Sequence, residues 1–403
     1  MGSRLESALV ALGVVVVAAF LSAGTALGVD YANPSWIGLN SAGPSIEALA
    51  RLDFAAAAHE QPIMGPASLF LRAPFVALAD ALGGGMLMEY RLGSFVCVLA
   101  LGILGAWLAR LIEGERPWAT RALVIGLVMA GPLTFKSLFW GHPEDLLASA
   151  LAVGAILIAR KHPLAAAIAL GSAIATKQWA ILALAPVLVA ALPERRWRVL
   201  LVAGAVAAVW MAPMAIGDLD RFLLQNEANS KAGVGVTPSS VWWVFGDVVN
   251  RSAGMGGGEV DVYSIPAWMT EVSQPLTMAV TFGLALVFFM RRKAYDAADG
   301  LALFALVMLL RCVLDPMTIS YHHQAFYVSL AAFEVVRTRR MPFLTLMTAA
   351  VLLATSELAS MPDLQNGVYL AWSLPLAGYL ALTLFAPRAL IGSGARWAPS
   401  DTR

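Results

Sequence analysis

Residues 139–179 read FWGHPEDLLASALAVGAILIARKHPLAAAIALGSAIATKQW. This stretch holds two apolar segments joined by a tight basic turn at 160–163, and each segment is long enough for an α-helix. Polar clusters stand at the two outer ends, 142–145 before the first helix and 177–179 after the second. If both helices cross a bilayer, the clusters emerge on the same face. We therefore predict that these two clusters lie on the same side of the membrane.

The composition indicates an integral membrane protein. The 403 residues are 59% hydrophobic and only 13% charged, whereas a soluble domain carries about 25% charged residues. The net charge of +1 gives no reason to expect a nucleic-acid partner. The first apolar run, 8–28, has the length of a membrane span and exceeds the shorter apolar region of a signal peptide. We interpret it as an uncleaved first span.

Apolar runs of suitable length predict an all-α polytopic protein with about twelve transmembrane helices. A span needs about 20 mainly apolar residues. The predicted spans are 7–28, 91–112, 121–138, 144–160, 163–177, 179–193, 197–215, 272–290, 298–314, 319–336, 341–358 and 365–387. The fifth and sixth are short, and they could instead form one broken helix or two half-spans around Lys177.

Basic residues predict the orientation of these helices. Lys and Arg cluster in every second loop of the twelve-span arrangement, and such loops are cytoplasmic in most membrane proteins. Both termini are then expected inside. The clusters are Arg110/Arg116/Arg121, Arg160/Lys161, Arg195/Arg196/Arg198, Arg291/Arg292/Lys293, Arg337/Arg339/Arg340 and Arg388/Arg396/Arg403.

Two long segments fall on the outer side. Within 29–90, the spacing of Ile46, Leu49, Leu52 and Ala56 predicts an amphipathic surface helix. Residues 68–82 are apolar but short, and they predict a second surface or re-entrant helix.

The other long segment, 216–271, contains Trp242, Trp243 and a glycine cluster at 254–258, which indicates a mobile loop dipping into the interface. We predict one membrane domain over 1–390 and a cytoplasmic tail at 391–403.

Polar residues, which are costly to place inside a membrane, gather at the outer ends of the predicted spans. His142, Glu144 and Asp145 stand where a helix begins, so the carboxylates either complement the helix dipole or form part of a binding site. A histidine beside two carboxylates could hold a divalent cation, but no spacing here is diagnostic. We therefore assign no metal ligand.

Two cations could meet an anionic ligand. Lys177, followed by Gln178, either snorkels to the headgroups or binds an anion such as a lipid phosphate. Arg311 and Asp315 share a helical face, which favours an ion pair, although Arg311 could otherwise make a second phosphate contact.

The remaining candidates are histidines and first-loop carboxylates. His322 and His323 are adjacent and cannot share a helical face, so we expect one to pack and one to face a cavity. Asp30 and Asp53 are either solvated surface carboxylates or the catalytic base, and Asp53 is the first candidate for the base.

Several motifs together resemble the glycosyltransferase 87 family of the glycosyltransferase C superfamily. They are the GHPED-type helix start at 141–145, ATKQW at 175–179, the Trp242–Trp243 pair, and the run LLRCVLDP at 309–316 followed by YHH at 321–323. The resemblance covers roughly residues 5–390. It implies a catalytic acidic residue in the first outer loop, for which Asp53 and Asp30 are both counterparts.

The resemblance also implies an activity. It implies an inverting membrane hexosyltransferase that moves a sugar, commonly mannose, from a polyprenyl-phosphate donor to a lipid or glycan acceptor, without a cofactor. The other expected substrate-binding residues are His142, Glu144, Asp145, Lys177, Gln178, Arg311, Asp315, His322 and His323. The expected location is the outer face of the bacterial cytoplasmic membrane, among membrane lipids. The alternative is a secondary transporter or a flippase of lipid-linked intermediates, which twelve spans and a polar cluster would also fit.

Overall fold

A computed structural model describes residues 2–32, 42–113, 117–230, 235–253, 259–291 and 296–386. The described chain is helical with almost no sheet, which confirms the all-α prediction. The predicted tail at 391–403 and the glycine cluster at 254–258 lie outside the described residues.

The first third of the chain forms a long helix, four helices of the predicted first outer loop, and a second long helix followed by a broken one. In order these are α1 (Gly2–Ala23), α2 (Val29–Ala32), α3 (Gly43–Ala50), α4 (Phe54–His59), α5 (Pro66–Ala81), α6 (Met86–Ala109), α7 (Pro117–Met129) and α8 (Pro132–Trp140).

The middle third is a set of tightly packed helices, two of them preceded by a 3₁₀ turn. They are α9 (Glu144–Ile158), α10 (Pro163–Thr176), the 3₁₀ helix Gln178–Ala183 with α11 (Leu184–Ala190), and the 3₁₀ turn Pro193–Arg195 with α12 (Arg196–Gly217) and α13 (Leu219–Ser230).

The last third begins with a small cap and continues as a bundle. The cap is the 3₁₀ helix Val241–Phe245 and the antiparallel hairpin β1 (Asp247–Ala253) and β2 (Glu259–Ser264). The bundle is α14 (Ala267–Arg291), α15 (Ala297–Leu314), the 3₁₀ helix Ser320–His323, α16 (Gln324–Thr338), α17 (Phe343–Glu357) and α18 (Pro362–Phe385). Helix α15 lies at the core, because α11, α16 and α18 all pack against it.

Within the part of the chain that the structure describes, seven helical segments are long and apolar enough to cross a membrane. They are Glu6–Ala23, Met86–Ala109, Trp118–Trp140, Pro193–Gly217, Ala267–Met290, Ala297–Leu314 and Pro362–Phe385. The other five predicted spans coincide with helices of 15 residues or fewer. Such a helix is about 22 Å long, shorter than a hydrocarbon core of about 30 Å. The count of twelve and the orientation therefore stay predictions.

Helices α10 and α12 run parallel, and this arrangement decides where Lys177 lies. A Cβ on Gly171 would come within 2.4 Å of the Ala203 carbonyl oxygen, so only glycine permits this close approach. Trp210, further along α12, donates to Ser172 Oγ at 3.0 Å. Residues 178–190, which connect α10 to α12 along the chain, must therefore run in the opposite direction to both helices. The chain reverses at Lys177, whose backbone is extended.

The predicted amphipathic helix over 46–56 is wrong, because the structure has two short helices there. Ile46 and Leu49 are buried in α3, but Leu52 has a φ of 61° and is 75% exposed. That left-handed residue ends the first helix. Asp53 then begins α4 by accepting a hydrogen bond from the Ala56 amide at 3.0 Å.

The second long segment is more ordered than the predicted mobile loop. Trp242 donates its indole N–H to the Leu314 carbonyl oxygen at 2.6 Å, and Trp243 donates to Asp363 Oδ1 at 2.8 Å. Asn366 also binds the Ser240 carbonyl oxygen, at 2.8 Å. These bonds attach the segment to the ends of α15 and α18. The two tryptophans therefore anchor a cap.

Candidate active site

The two polar clusters of residues 139–179 are in direct contact, a closer relationship than the shared face that the sequence predicted. Lys177 Nζ lies 3.1 Å from Glu144 Oε1 and 3.2 Å from Asp145 Oδ2. The cause is the helical hairpin: α9 and α10 pack side by side and are joined by a short turn. The first turn of α9 therefore lies beside the end of α10. This ion cluster is the centre of the candidate site.

His142 and Trp179 complete the bonding of the two carboxylates. His142 Nδ1 lies 2.8 Å from Glu144 Oε1, and Trp179 donates its indole N–H to Asp145 Oδ1 at 2.8 Å. The local backbone sets this geometry, because Gly141 has a φ of 91° and ends α8. The chain then turns sharply enough for α9 to begin at Glu144.

Arg72 joins the cluster from α5, and the sequence analysis did not single it out. Its side chain is fully buried, with Nη1 3.7 Å from Glu144 Oε2 and its guanidinium 5.6 Å from the centre of the Tyr31 ring. Among the described residues, its three guanidinium nitrogens have no hydrogen-bond acceptor. An arginine inside an apolar helix was the available signal, because such residues are costly and usually functional.

The late YHH motif is attached to the cluster through an aromatic contact. The rings of His142 and Tyr321 stack with centroids 4.9 Å apart and planes 25° apart. Tyr321 also meets His322 edge to face at 4.6 Å. His322 interacts electrostatically with Arg311, Lys177 and His142. Residues 142–145, 177–179 and 311–323 therefore form one site.

The candidate residues divide into a buried group and an accessible group. Accessible surface remains on Lys177, Arg311 and Asp315, whose side chains are 18%, 16% and 21% exposed. Gln178 and His322 are also half-buried. The buried candidates are His142, Glu144, Asp145 and His323. Only the accessible group can therefore be contacted from outside without rearrangement of the buried group.

Gln178 connects the site to α13, which belongs to the second long segment, residues 216–271. Its side-chain amide donates to Asn226 Oδ1 on α13 at 2.9 Å. Arg311 and Asp315 form the expected contact one helical turn apart, with Nη2 and Oδ2 separated by 3.6 Å. That distance exceeds a normal hydrogen bond. Arg311 is thus held loosely by its neighbour.

The adjacent histidines have different environments, as expected. His323 is buried, and its Nε2 lies 2.9 Å from the hydroxyl of Tyr369, also buried. Its ring packs against Tyr369 and Trp372. His322 keeps part of its surface exposed beside Arg311. His323 is therefore the packing residue of the pair.

The two first-loop carboxylates occupy different places. Asp53 caps α4 with an exposed side chain. Asp30 belongs to α2, and its side chain lies outside the described residues. The backbone of this segment packs on α8. A Cβ on Gly28 would come within 2.4 Å of the Gly141 Cα. Gly28, two residues before Asp30, therefore touches Gly141, which directly precedes the 142–145 cluster.

Three residues of the cluster offer ligand atoms that could hold a metal ion. Atoms of His142, Glu144 and Asp145 lie within 4.8 Å of one another. The ammonium of Lys177, however, contacts both carboxylates at about hydrogen-bond distance. A divalent cation would have to displace this ammonium. The charge balance of the cluster thus favours Lys177 as its resident cation.

Comparison with known proteins identifies the family. The chain matches the family model of glycosyltransferase family 87 over residues 63–316, well over half of its length. The matched range includes Arg72, the 142–145 cluster, Lys177 and Arg311. No curated protein and no solved structure matches the chain. The chain therefore belongs to glycosyltransferase family 87, and it is a multi-pass membrane glycosyltransferase.

Proposed function

We propose that this protein transfers a hexose, with mannose the sugar we expect, from a polyprenyl-phosphate donor to a lipid or glycan acceptor. The reaction takes place on the outer face of the bacterial cytoplasmic membrane, the side opposite the basic turns. The observation that carries the proposal is the convergence of Lys177, Arg311 and His322 at the ends of apolar helices. The cations Lys177 and Arg311 at that depth suit a phosphate attached to a lipid chain, and His322 is a polar neighbour of both.

The leaving phosphate gains charge as the glycosidic bond breaks, so cations already directed at it lower the barrier. Lys177 has three N–H donors, and the two carboxylates engage two of them. The third remains for a ligand at the accessible side. The contact of Arg311 with Asp315 is long, 3.6 Å from Nη2 to Oδ2, so its guanidinium can turn to a phosphate oxygen. His322 supplies a further polar contact.

Inversion requires one base. The acceptor oxygen bonds to the anomeric carbon, the bond from that carbon to the phosphate oxygen breaks, and the acceptor proton passes to a carboxylate. We favour Asp30 for this role, because its helix packs beside the turn that precedes His142. Asp53 is the second candidate, but its carboxylate already accepts the Ala56 amide.

The buried carboxylates orient the cation that meets the donor. Glu144 is enclosed by His142, Lys177 and Arg72, so it holds the ammonium at a constant depth. Asp145 acts in the same way, with Trp179 fixing its other oxygen. The sugar hydroxyls meet residues of the accessible group, Gln178 and Asp315.

The test is transfer by the purified full-length protein, supplied with membrane lipids and a radiolabelled donor. We compare polyprenyl-phosphate-mannose, polyprenyl-phosphate-glucose and a nucleotide-linked mannose. A labelled lipid or glycan product is expected with a polyprenyl-phosphate donor and not with the nucleotide sugar. Transfer from the nucleotide sugar alone would contradict the donor assignment. Vesicles that accumulate unmodified donor without forming product would indicate transport instead.

A further inference from the structure

A cavity of about 370 Å³ opens at the end of α10 opposite Lys177. It is lined by the first turn of α10, residues 162–165, and by Lys161, Arg195 and Arg198. The parallel packing of α10 and α12 brings these parts together, because residues 178–190 return the chain to the end where α10 begins. The cavity therefore lies at the opposite end of the bundle from the candidate active site.

Three cations face this space. Lys161, Arg195 and Arg198 are all exposed, and among the described residues no carboxylate lines the cavity. Like charges collected around one concavity repel each other and raise the local concentration of anions. A bound anion would relieve that repulsion. The charge of the lining thus selects an anionic ligand.

The beginning of α10 adds hydrogen-bond donors to the same cavity. Leu164 and Ala165 belong to the first turn, whose amides have no partner within the helix. His162, the N-cap residue, makes no capping hydrogen bond with its side chain. Free amides and the positive end of the helix dipole suit a phosphate group. They add to the attraction that the three cations exert on such a group.

Exposed apolar side chains beside the cavity favour a lipid as the source of that phosphate. Leu164 lines the cavity, and Ile168 continues the same face of α10 one turn further. Trp197 and Leu201 are a similar exposed pair on α12. Tryptophan is common at headgroup depth in membranes. Acyl chains can therefore lie along these side chains while the headgroup occupies the cavity.

We propose that this cavity binds the headgroup phosphate of an anionic phospholipid, in the leaflet opposite the candidate active site. Basic pockets between helices on the cytoplasmic side are a general form of lipid-headgroup site. The proposal does not depend on the donor or acceptor of the transfer reaction. Its test therefore measures binding and not catalysis.

The experiment titrates the full-length protein in detergent with phosphatidylglycerol, phosphatidylcholine or inorganic phosphate and follows the thermal unfolding temperature. Arg195→Gln/Arg198→Gln removes two charges from the cavity. Arg110→Gln/Arg340→Gln removes two exposed charges from other basic turns and serves as the matched control. Lys161→Gln, a single change, covers the case in which the double variant fails to fold.

Phosphatidylglycerol should stabilise the wild type more than phosphatidylcholine does. Each charge removed from the cavity should weaken the apparent affinity about fivefold, hence about 25-fold for the double variant. The control should bind like the wild type. Equal weakening in both double variants would overturn the proposal, since only general surface charge would then matter. A cavity-dependent stabilisation by inorganic phosphate but not by phosphatidylglycerol would overturn the lipid assignment.

Discussion

The ammonium of Lys177 and the carboxylate of Glu144 lie 3.1 Å apart, although 32 residues separate them along the chain. The Glu144 side chain is fully buried, and that of Lys177 is only partly exposed. Removing one partner of such a pair leaves an uncompensated charge, which costs about 3–5 kcal/mol. The stability of the α9–α10 hairpin therefore depends on two residues to which we also assign a role in the proposed reaction.

The first prediction concerns this pair. Lys177→Met and Glu144→Gln should each lower the thermal unfolding temperature strongly. In the double variant, the loss of unfolding free energy should be smaller than the sum of the two single losses. The difference should be about 0.5–3 kcal/mol, because the two residues interact directly. Thermal unfolding in one detergent measures all three. Lys161→Met, an exposed change at the other end of α10, is the control and should have little effect. Strictly additive losses would show that the contact carries no energy.

The second prediction separates the two candidate bases. Asp30→Asn should reduce the rate of sugar transfer about a hundredfold or more, since a general base contributes at least that much. Asp53→Asn should keep most of the activity and stability, because asparagine also caps helices well. The rate of transfer per folded protein is the measurement. If Asp53→Asn were inactive and Asp30→Asn active, Asp53 and not Asp30 would be the base.

The third prediction uses the adjacent histidines as a matched pair. His322→Gln should lower the transfer rate with little change in unfolding temperature. His323→Gln should do the opposite, since it loses the hydrogen bond to Tyr369, worth about 1 kcal/mol. Rate and unfolding temperature are measured for both variants. If both variants changed the same property, the division into packing and accessible histidines would be wrong.

The fourth prediction concerns metal removal. The transfer rate should be the same before and after dialysis against EDTA, because Lys177 already provides the positive charge between Glu144 and Asp145. The assay is run with and without added Mg²⁺ or Mn²⁺. A loss of activity that either ion restores would mean that a metal displaces the ammonium in the working enzyme.

The fifth prediction tests Arg72. Arg72→Met should destabilise the protein by about 3–5 kcal/mol, because Glu144 then loses one of its buried cations. Arg51→Met breaks an exposed pair with Glu47 one helical turn away and should cost less than about 0.5 kcal/mol. Chemical unfolding in detergent compares the two. Equal, small effects would show that Arg72 does not support Glu144.

Much of the helical architecture and part of the site follow from the sequence. Each predicted span coincides with a helical segment, because a long apolar run in lipid must satisfy its own backbone hydrogen bonds. The placement of 142–145 and 177–179 at the same end of the hairpin follows as well, since two helices of similar length joined by a short turn bring their outer ends to one side. The ion pairs between the two clusters were not predicted. The different environments of His322 and His323 follow from helical geometry.

Other features depend on long-range packing that no local pattern encodes. Arg72 reaches Glu144 only because α5 packs against α6 and α10, and the pairing joins residues 72 positions apart. The anchoring of Trp243 to Asp363 arises in the same way.

The sequence by itself determined that this protein is a helical membrane protein with cations and carboxylates at one end of its helices. Hydrophobic length and the high cost of buried charge are local properties of the chain, so they can be seen without a structure. Only the tertiary structure decided which charges meet and which stay accessible. It enclosed Glu144 with Arg72 and left Lys177 partly open, because burial depends on neighbours that are distant along the chain.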